Sequence, residues 1–189
     1  VDQLPTPARM AVMALVDPSA ETLGQLESIV GATLDYVPVG FLNRALNATA
    51  SVVRVIDTRR SAIGTGVMVS RRLLLTNHHV TPDVGQASAQ LAQFRYELEI
   101  DGTERPTTEF LLNPDELLLT SPVDQLDFTL IALGERTGGT ANIDEFGHAG
   151  LSAAPDKHAI GDFVTLIQHP SGDYKQIALR ENRVIGRGR

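Results

Sequence analysis

Residues 64–80, GTGVMVSRRLLLTNHHV, are the stretch from which the fold of this chain can be worked out. Two short apolar runs, residues 67–69 and 73–75, flank a polar segment with two arginines. Apolar runs of this length joined by a polar turn are typical of a β-hairpin. The second run leads into Thr-Asn-His-His-Val, so the hairpin would place a histidine at a strand end. Such an end is a rigid position for imidazole, the side chain that titrates near neutral pH and suits proton transfer.

This segment resembles the histidine region of the trypsin-like (chymotrypsin-fold) serine peptidases, in their cysteine-free bacterial form. Residues 76–80 match the family's Thr-x-x-His-apolar pattern, and the Gly-Thr-Gly-apolar strand before them matches as well. The resemblance implies a catalytic role for His79. Because neighbouring residues on a strand point to opposite sides, only one of the two histidines would face the site, and His78 is expected to be a solvent or loop histidine.

An aspartate directly precedes another strongly apolar run. Asp127 is followed by Phe-Thr-Leu-Ile-Ala-Leu, and a carboxylate at the edge of such a run is costly unless it is a cap, a turn residue or a functional group. The run resembles the Asp-apolar-apolar-Leu pattern of the same family, with Thr129 as a small departure. The resemblance implies that Asp127 orients the imidazole of His79. Asp124 is the competing carboxylate, in a more polar setting.

The resemblance extends over most of the chain. Residues 167–172, IQHPSG, are similar to the turn that begins the second barrel in these bacterial peptidases, and residues 26–46 are similar to the segment that leads into the first. The family's fold would be all-β, with two antiparallel β-barrels. No cofactor or metal is expected, because the histidines have no partners at ligand spacing.

Hydrophobic periodicity supports this organisation. Helical patterns occupy residues 1–50: one helix would begin at Asp17-Pro18, and another over residues 38–48 would pack an apolar face on the barrel through Phe41, Leu42, Leu46 and Ala48. From residue 51 the period becomes that of β-strands, and Asp101-Gly102 is a hairpin turn signal. First-barrel strands are predicted at residues 51–56, 67–69, 73–75, 94–100, 108–112, 117–119 and 126–133, with a short amphipathic helix at residues 83–93.

Three parts are therefore predicted: a helical N-terminal extension (residues 1–50), a first β-barrel that carries the histidine and the aspartate (51–135), and a linker with the start of a second barrel (136–189). Strands of that second barrel are expected at residues 163–167, 176–179 and 184–185. Three strands would leave the second barrel incomplete, with unpaired edges.

Composition narrows the function classes. The net charge of −7 disfavours a nucleic-acid binder, and the lack of cysteine excludes disulfides and thiolate metal sites. No apolar run approaches the roughly 18 residues that a membrane span needs. The lack of cysteine fits a reducing compartment, so a cytoplasmic bacterial protein is expected. Secretion is the alternative, because the sequence starts at Val1 without methionine, as it would after removal of a signal peptide.

The family's nucleophile motif, Gly-(Asp or Ser)-Ser-Gly, does not occur in these 189 residues. The sequence therefore favours a serine endopeptidase fragment that supplies His79 and Asp127, nicked after Arg189 and paired with its own serine-bearing C-terminal fragment. Other expected partners are a protein or peptide substrate and a regulatory protein. The alternative is a catalytically inactive, peptidase-derived binding or regulatory module.

Overall fold

The computed structural model describes residues 37–153, 159–179 and 182–186. The chain divides into two compact units, Val1–Leu42 and Asn43–Arg189. The first unit is described only over residues 37–42, and the helix predicted to begin at Asp17-Pro18 lies outside the described residues. Within the described part of the chain, no helix has the length and apolar character needed to cross a membrane.

A helix forms where the second N-terminal helical segment was predicted. This helix, α1, spans Gly40–Ala50 and contains no buried residue. Leu42 and Leu46 expose 61% and 65% of their surface, so the prediction that they form a packed apolar face is wrong. The less exposed residues of α1 are Phe41, Ala45, Thr49 and Ala50, and the first three follow one another at the spacing of a helical turn.

Six antiparallel strands form a closed barrel. They are β1 Val52–Asp57, β2 Ala62–Met68, β3 Leu73–Thr76, β4 Gln90–Phe94, β5 Thr108–Ser121 and β6 Phe128–Gly138. Their order around the barrel is β1-β2-β3-β6-β5-β4. The predicted hairpin of residues 67–75 is confirmed as β2 paired with β3. The last strand, β6, continues beyond residue 135, where the barrel was predicted to end.

The inward-facing side chains fill the barrel with an apolar core. Alternate residues of the strands supply it, as the two-residue period of a β-strand requires. Phe94 joins the core to the segment that follows the barrel, because its ring stacks on Phe146 at 4.1 Å and meets Phe110 edge-on at 5.6 Å. The fully buried members of the core are Val53, Val55, Met68, Leu74, Ala87, Ala92, Phe94 and Ile131.

Two predictions for the residues between β3 and β5 are wrong: a helix at residues 83–93 and a strand at residues 94–100. The helix predicted at residues 83–93 is only α2, Val84–Ala87, which is capped by the carboxylate of Asp83. The residues after it form β4, because barrel closure requires a strand between β1 and β5. The strand predicted at residues 94–100 ends at once, since Arg95 adopts a φ of 59° that breaks the extended conformation.

The turn predicted at Asp101-Gly102 is confirmed, with a φ of 82° at the glycine and a β-bridge between Leu98 and Glu104 around it. The runs at residues 108–112 and 117–119 form one strand, β5, instead of two. Its pairing with β6 shifts register between Asn113 and Leu118. This irregularity accommodates Pro114, which has no N–H to give to a regular ladder.

The described residues beyond the barrel contain a second, two-stranded sheet. It pairs β7 (Leu166–Gln168) with β8 (Gln176–Ala178), and a separate bridge joins Phe163 to Arg183. These elements overlap the strands predicted at residues 163–167 and 176–179, whereas residues 184–185 form no strand and only the neighbouring Arg183 makes a bridge. In the sequence, a short 3₁₀ helix, Ile143–Phe146, lies between the last strand of the barrel and the first strand of the second sheet.

The turn between β7 and β8 is bound by two hydrogen bonds to barrel strands and by two more to α1 and to the loop after β4. The amide of His169 donates to Oγ1 of Thr65 at 3.0 Å, and Nη1 of Arg54 donates to the carbonyl of Gly172 at 2.8 Å. The Nζ of Lys175 donates to the carbonyl of Thr49 and to Oε2 of Glu97, both at 2.9 Å. The position of the second sheet relative to the barrel is thus fixed by side chains of both.

Candidate active site

The pairing of β3 with β6 explains why two residues distant in sequence meet. In this antiparallel pair, Thr76 at the end of β3 lies opposite Thr129 near the start of β6. The residues that follow β3 and those that precede β6 therefore lie at the same edge of the barrel. His79 follows β3 and Asp127 precedes β6, so the topology brings their side chains together.

The sequence predicted that His79 lies at the end of a strand. In the structure it lies in the turn that follows β3. The amides of Val80 and Thr81 both donate to the carbonyl of Asn77, which closes this turn. Val80 then packs into the core over β2, where a Cβ on Gly64 would lie 2.5 Å from its Cγ2 atom. The glycine of the Gly-Thr-Gly motif thus leaves room for the residue that anchors the histidine turn.

The two predicted site residues form a hydrogen-bonded pair. Nδ1 of His79 lies 2.9 Å from Oδ2 and 3.2 Å from Oδ1 of Asp127, and the backbone amide of His79 donates to Oδ1 at 3.2 Å. Since a carboxylate only accepts, Nδ1 carries the hydrogen, and the other ring nitrogen, Nε2, has the free lone pair. The competing carboxylate, Asp124, does not take part in this pair.

The surroundings of Asp127 keep it ionised. Desolvation raises the pKa of this carboxyl group, but hydrogen bonds from the amide and ring of His79 and from Asn77 outweigh it, so the pKa lies below the usual value. The ionised form is the one that can orient an imidazole and stabilise an imidazolium. His79 exposes 59% of its side chain, so Nε2 is accessible to a reactant.

His78 lies in the turn after β3, as expected for a loop histidine, but it is not a solvent histidine. It is half-buried, and its Nδ1 lies 2.7 Å from Oγ1 of Thr120 on β5. Thr120 in turn contacts Oγ1 of Thr129 at 2.8 Å, and that hydroxyl donates to the carbonyl of Thr81. This chain of hydrogen bonds ties the histidine turn to β5 and β6, which gives His78 a structural role.

Asn77 is the site residue that sequence reasoning missed. Its side-chain amide contacts both the backbone carbonyl and the carboxylate of Asp127. The sequence around Asn77 shows only a polar residue between Thr76 and the two histidines, which is weak evidence for a site residue. An asparagine in a turn usually serves the turn itself, so this position alone indicates no contact with a residue 50 positions away.

A cleft of about 440 Å³ opens beside Asp127. Its apolar wall consists of residues from the barrel and one residue from the second sheet. Thr76, Asn77 and Asp127 are polar residues that also line the cleft. A cleft with a mostly apolar wall and a few convergent polar groups is the usual form of a binding site. The apolar lining residues are Val52, Val67, Leu75, Leu126, Phe128 and Ile167.

No group of three or more His, Cys, Asp or Glu side chains in residues 37–153, 159–179 and 182–186 could hold a metal ion. The groups that the site presents for chemistry are an imidazole with a free Nε2, a carboxylate that orients it, and an adjoining cleft. This arrangement can accept a proton from a hydroxyl at Nε2 and return it to a leaving group.

Comparison with known proteins places this geometry in a family. Residues 64–189 match the family model of the trypsin-like peptidase domain. The chain is also 38% identical over 167 residues to the uncharacterized protein y4fB of the bacterium Sinorhizobium fredii. That match covers 86% of this chain but only 25% of y4fB, so the chain spans about a quarter of the length of the curated relative it matches. The fold, the His79–Asp127 pair and the family match lead to one conclusion: the chain belongs to the family of trypsin-like peptidase domains.

Proposed function

We propose that this chain supplies the general base and the orienting acid of a serine endopeptidase. The observation that carries the proposal is the contact between Nδ1 of His79 and Oδ2 of Asp127, at 2.9 Å, in a chain of the trypsin-like peptidase family. In such an enzyme, Nε2 of His79 takes the proton of a serine hydroxyl as that oxygen attacks the peptide carbonyl. The imidazolium, stabilised by Asp127, then gives the proton to the leaving amine.

The nucleophile and the oxyanion-hole donors would come from a segment outside these 189 residues. The sequence supports this step, because it has no Gly-(Asp or Ser)-Ser-Gly motif. The serine-bearing segment, a protein or peptide substrate and a regulatory protein are the partners that we propose. Whether the serine segment belongs to the same polypeptide or to a second one is answered by denaturing mass spectrometry of the protein purified from its host.

A fluorophosphonate probe, which reacts covalently with an activated serine, tests the proposal on the full-length parent polypeptide. We expect one labelled serine in the parent and no labelling after His79→Ala, since a serine without its base is a poor nucleophile. The control variant is His78→Ala, which should retain labelling because His78 contacts Thr120 and not the acid. A folded parent that is never labelled would contradict the proposal and would favour a catalytically inactive binding or regulatory module.

A further inference from the structure

Asn77 binds both the backbone and the side chain of Asp127. Its Nδ2 atom donates to the carbonyl oxygen of Asp127 at 3.1 Å and to Oδ2 of the same residue at 3.2 Å. We propose that Asn77 is a positioning residue, which holds the carboxylate of Asp127 in the orientation that faces Nδ1 of His79. The inference rests on the proposed function of the His79–Asp127 pair and adds a third residue to it.

The chemistry of the contact allows one orientation of the asparagine amide. Both groups that face the side chain of Asn77 are acceptors, a carbonyl and an ionised carboxylate. The NH₂ group must therefore point at Asp127, because the amide oxygen in its place would meet two other oxygens. Hydrogen bonds to ionised acceptors are also stronger than those between neutral groups.

The backbone of Asp127, in the loop that precedes β6, needs support from outside that loop. Its φ is 45°, in the left-handed region that costs a residue with a Cβ free energy relative to the extended conformation. The amide of Asp127 donates to the carbonyl of Pro122 at 3.1 Å, and its carbonyl accepts from Asn77. Both polar groups of this residue's backbone are thus held, one by its own loop and the other by the turn that carries the histidine.

Both carboxylate oxygens lie near the ring of His79, but Oδ2 is the nearer, and their other partners differ. Oδ1 lies 3.2 Å from Nδ1 and accepts the backbone amide of His79, whereas Oδ2 lies 2.9 Å from Nδ1 and accepts the side-chain amide of Asn77. Without Asn77, the amide of His79 would still hold Oδ1, but the carboxylate could rotate and move Oδ2 away from the ring. Asn77 therefore acts on the histidine through the aspartate, and its effect should appear in the tautomer of the imidazole.

The test measures the tautomers of His79 by ¹⁵N NMR in the 189-residue chain at about pH 9, where imidazole is neutral. The variant is Asn77→Ala, and Asn77→Gln keeps the donor on a longer side chain. The matched control is Asn113→Ala, because Nδ2 of Asn113 donates to Oε2 of Glu116 at 3.1 Å, also on the surface but away from the site. Thermal unfolding of each variant checks that the chain remains folded.

We expect Asn77→Ala to lower the ratio of the Nδ1-protonated to the Nε2-protonated tautomer about three-fold, as loss of a hydrogen bond to a partly exposed charged group predicts. Asn77→Gln should give an intermediate ratio, and Asn113→Ala should leave it unchanged. If Asn77→Ala leaves the ratio unchanged while Asp127→Asn lowers it, the proposed role of Asn77 is overturned but the proposed function is not. A ratio unaffected by Asp127→Asn would instead overturn the His79–Asp127 pair, and with it the proposed function.

Discussion

Oδ2 of Asp127 lies 2.9 Å from Nδ1 of His79, although 48 residues separate the two in the sequence. Those residues include β4 and β5, which close the barrel on its other side. The contact is made because β3 and β6 are neighbours in the barrel, so that the end of one strand meets the start of the other. The site thus depends on a complete first barrel.

Replacing the acid should slow the reaction far more than it affects the fold. We expect Asp127→Asn to lower kcat of the proposed peptidase, assayed with its serine-bearing segment present, by about 10⁴-fold, because an amide at this position favours the wrong tautomer of the imidazole. The measurement is steady-state hydrolysis of a peptide substrate. Asp124→Asn changes a carboxylate in the same loop and should leave kcat unchanged. Equal losses in the two variants would contradict the assignment of Asp127.

Stability should decrease as the pH is lowered through the range in which His169 would take up a proton. This residue is 4% exposed, its Nδ1 donates to the carbonyl of Asp173, and its buried Nε2 has no partner among the described residues. Burial lowers the pKa of His169 to about 4; the hydrogen bond to the carbonyl of Asp173 and the charge of Glu97 oppose this shift, and the charges of Lys175 and Arg54 reinforce it. The folded protein therefore resists protonation that the unfolded chain, with a pKa of 6.5, accepts.

The unfolded state binds more protons than the folded state between the two pKa values, so the free energy of unfolding falls as the pH is lowered from 6.5 towards 4. The expected loss between about pH 7 and pH 5 is about 2 kcal/mol. Urea unfolding at the two pH values measures it. His169→Asn, which keeps a donor near the position of Nδ1, should lose clearly less. An equal loss in this variant would show that other groups cause the pH dependence.

Lys175 should contribute to stability because it is a buried cation with an anionic partner. Its side chain is 2% exposed, and Nζ lies 2.9 Å from Oε2 of Glu97. Removal of one member of a buried ion pair typically costs about 3–5 kcal/mol. We expect Lys175→Met to cost about 3 kcal/mol, at the lower end because Arg105 also contacts Glu97. Chemical denaturation of Lys175→Met and of Lys175→Met with Glu97→Gln measures the effect, and the double variant should be the more stable of the two.

Gly172 should be intolerant of any side chain. Its φ is +76°, and a Cβ would lie 2.2 Å from Cβ of Ala62 on β2, so the turn between β7 and β8 would have to move from the barrel. We expect Gly172→Ala to cost about 3 kcal/mol, the sum of backbone strain and overpacking. Gly147 is the matched control: its φ is +59°, but a Cβ at this position would have no described atom within 4 Å, so Gly147→Ala should cost only about 1 kcal/mol. Equal costs would show that contact with Ala62 does not matter.

The sequence was sufficient for the features that local pattern encodes. The hairpin of β2 and β3, the Asp101-Gly102 turn and the apolar strand after Asp127 each follow from period and turn chemistry within a few residues. His79 and Asp127 could be predicted as site residues because one follows such a strand by three residues and the other directly precedes one, in a pattern that resembles a known family. The family itself is confirmed by the match over residues 64–189.

The tertiary structure decided what depends on partners distant in sequence. Residues 90–94 are a strand and not a helix because a closed barrel needs that strand between β1 and β5, which no local pattern states. His78 is bound to Thr120 on β5, and Asn77 is bound to Asp127, because strand pairing places those groups beside the histidine turn. A hydrogen bond depends on distance and direction in space, so the sequence determined which residues could carry the chemistry, and the barrel determined which of them meet.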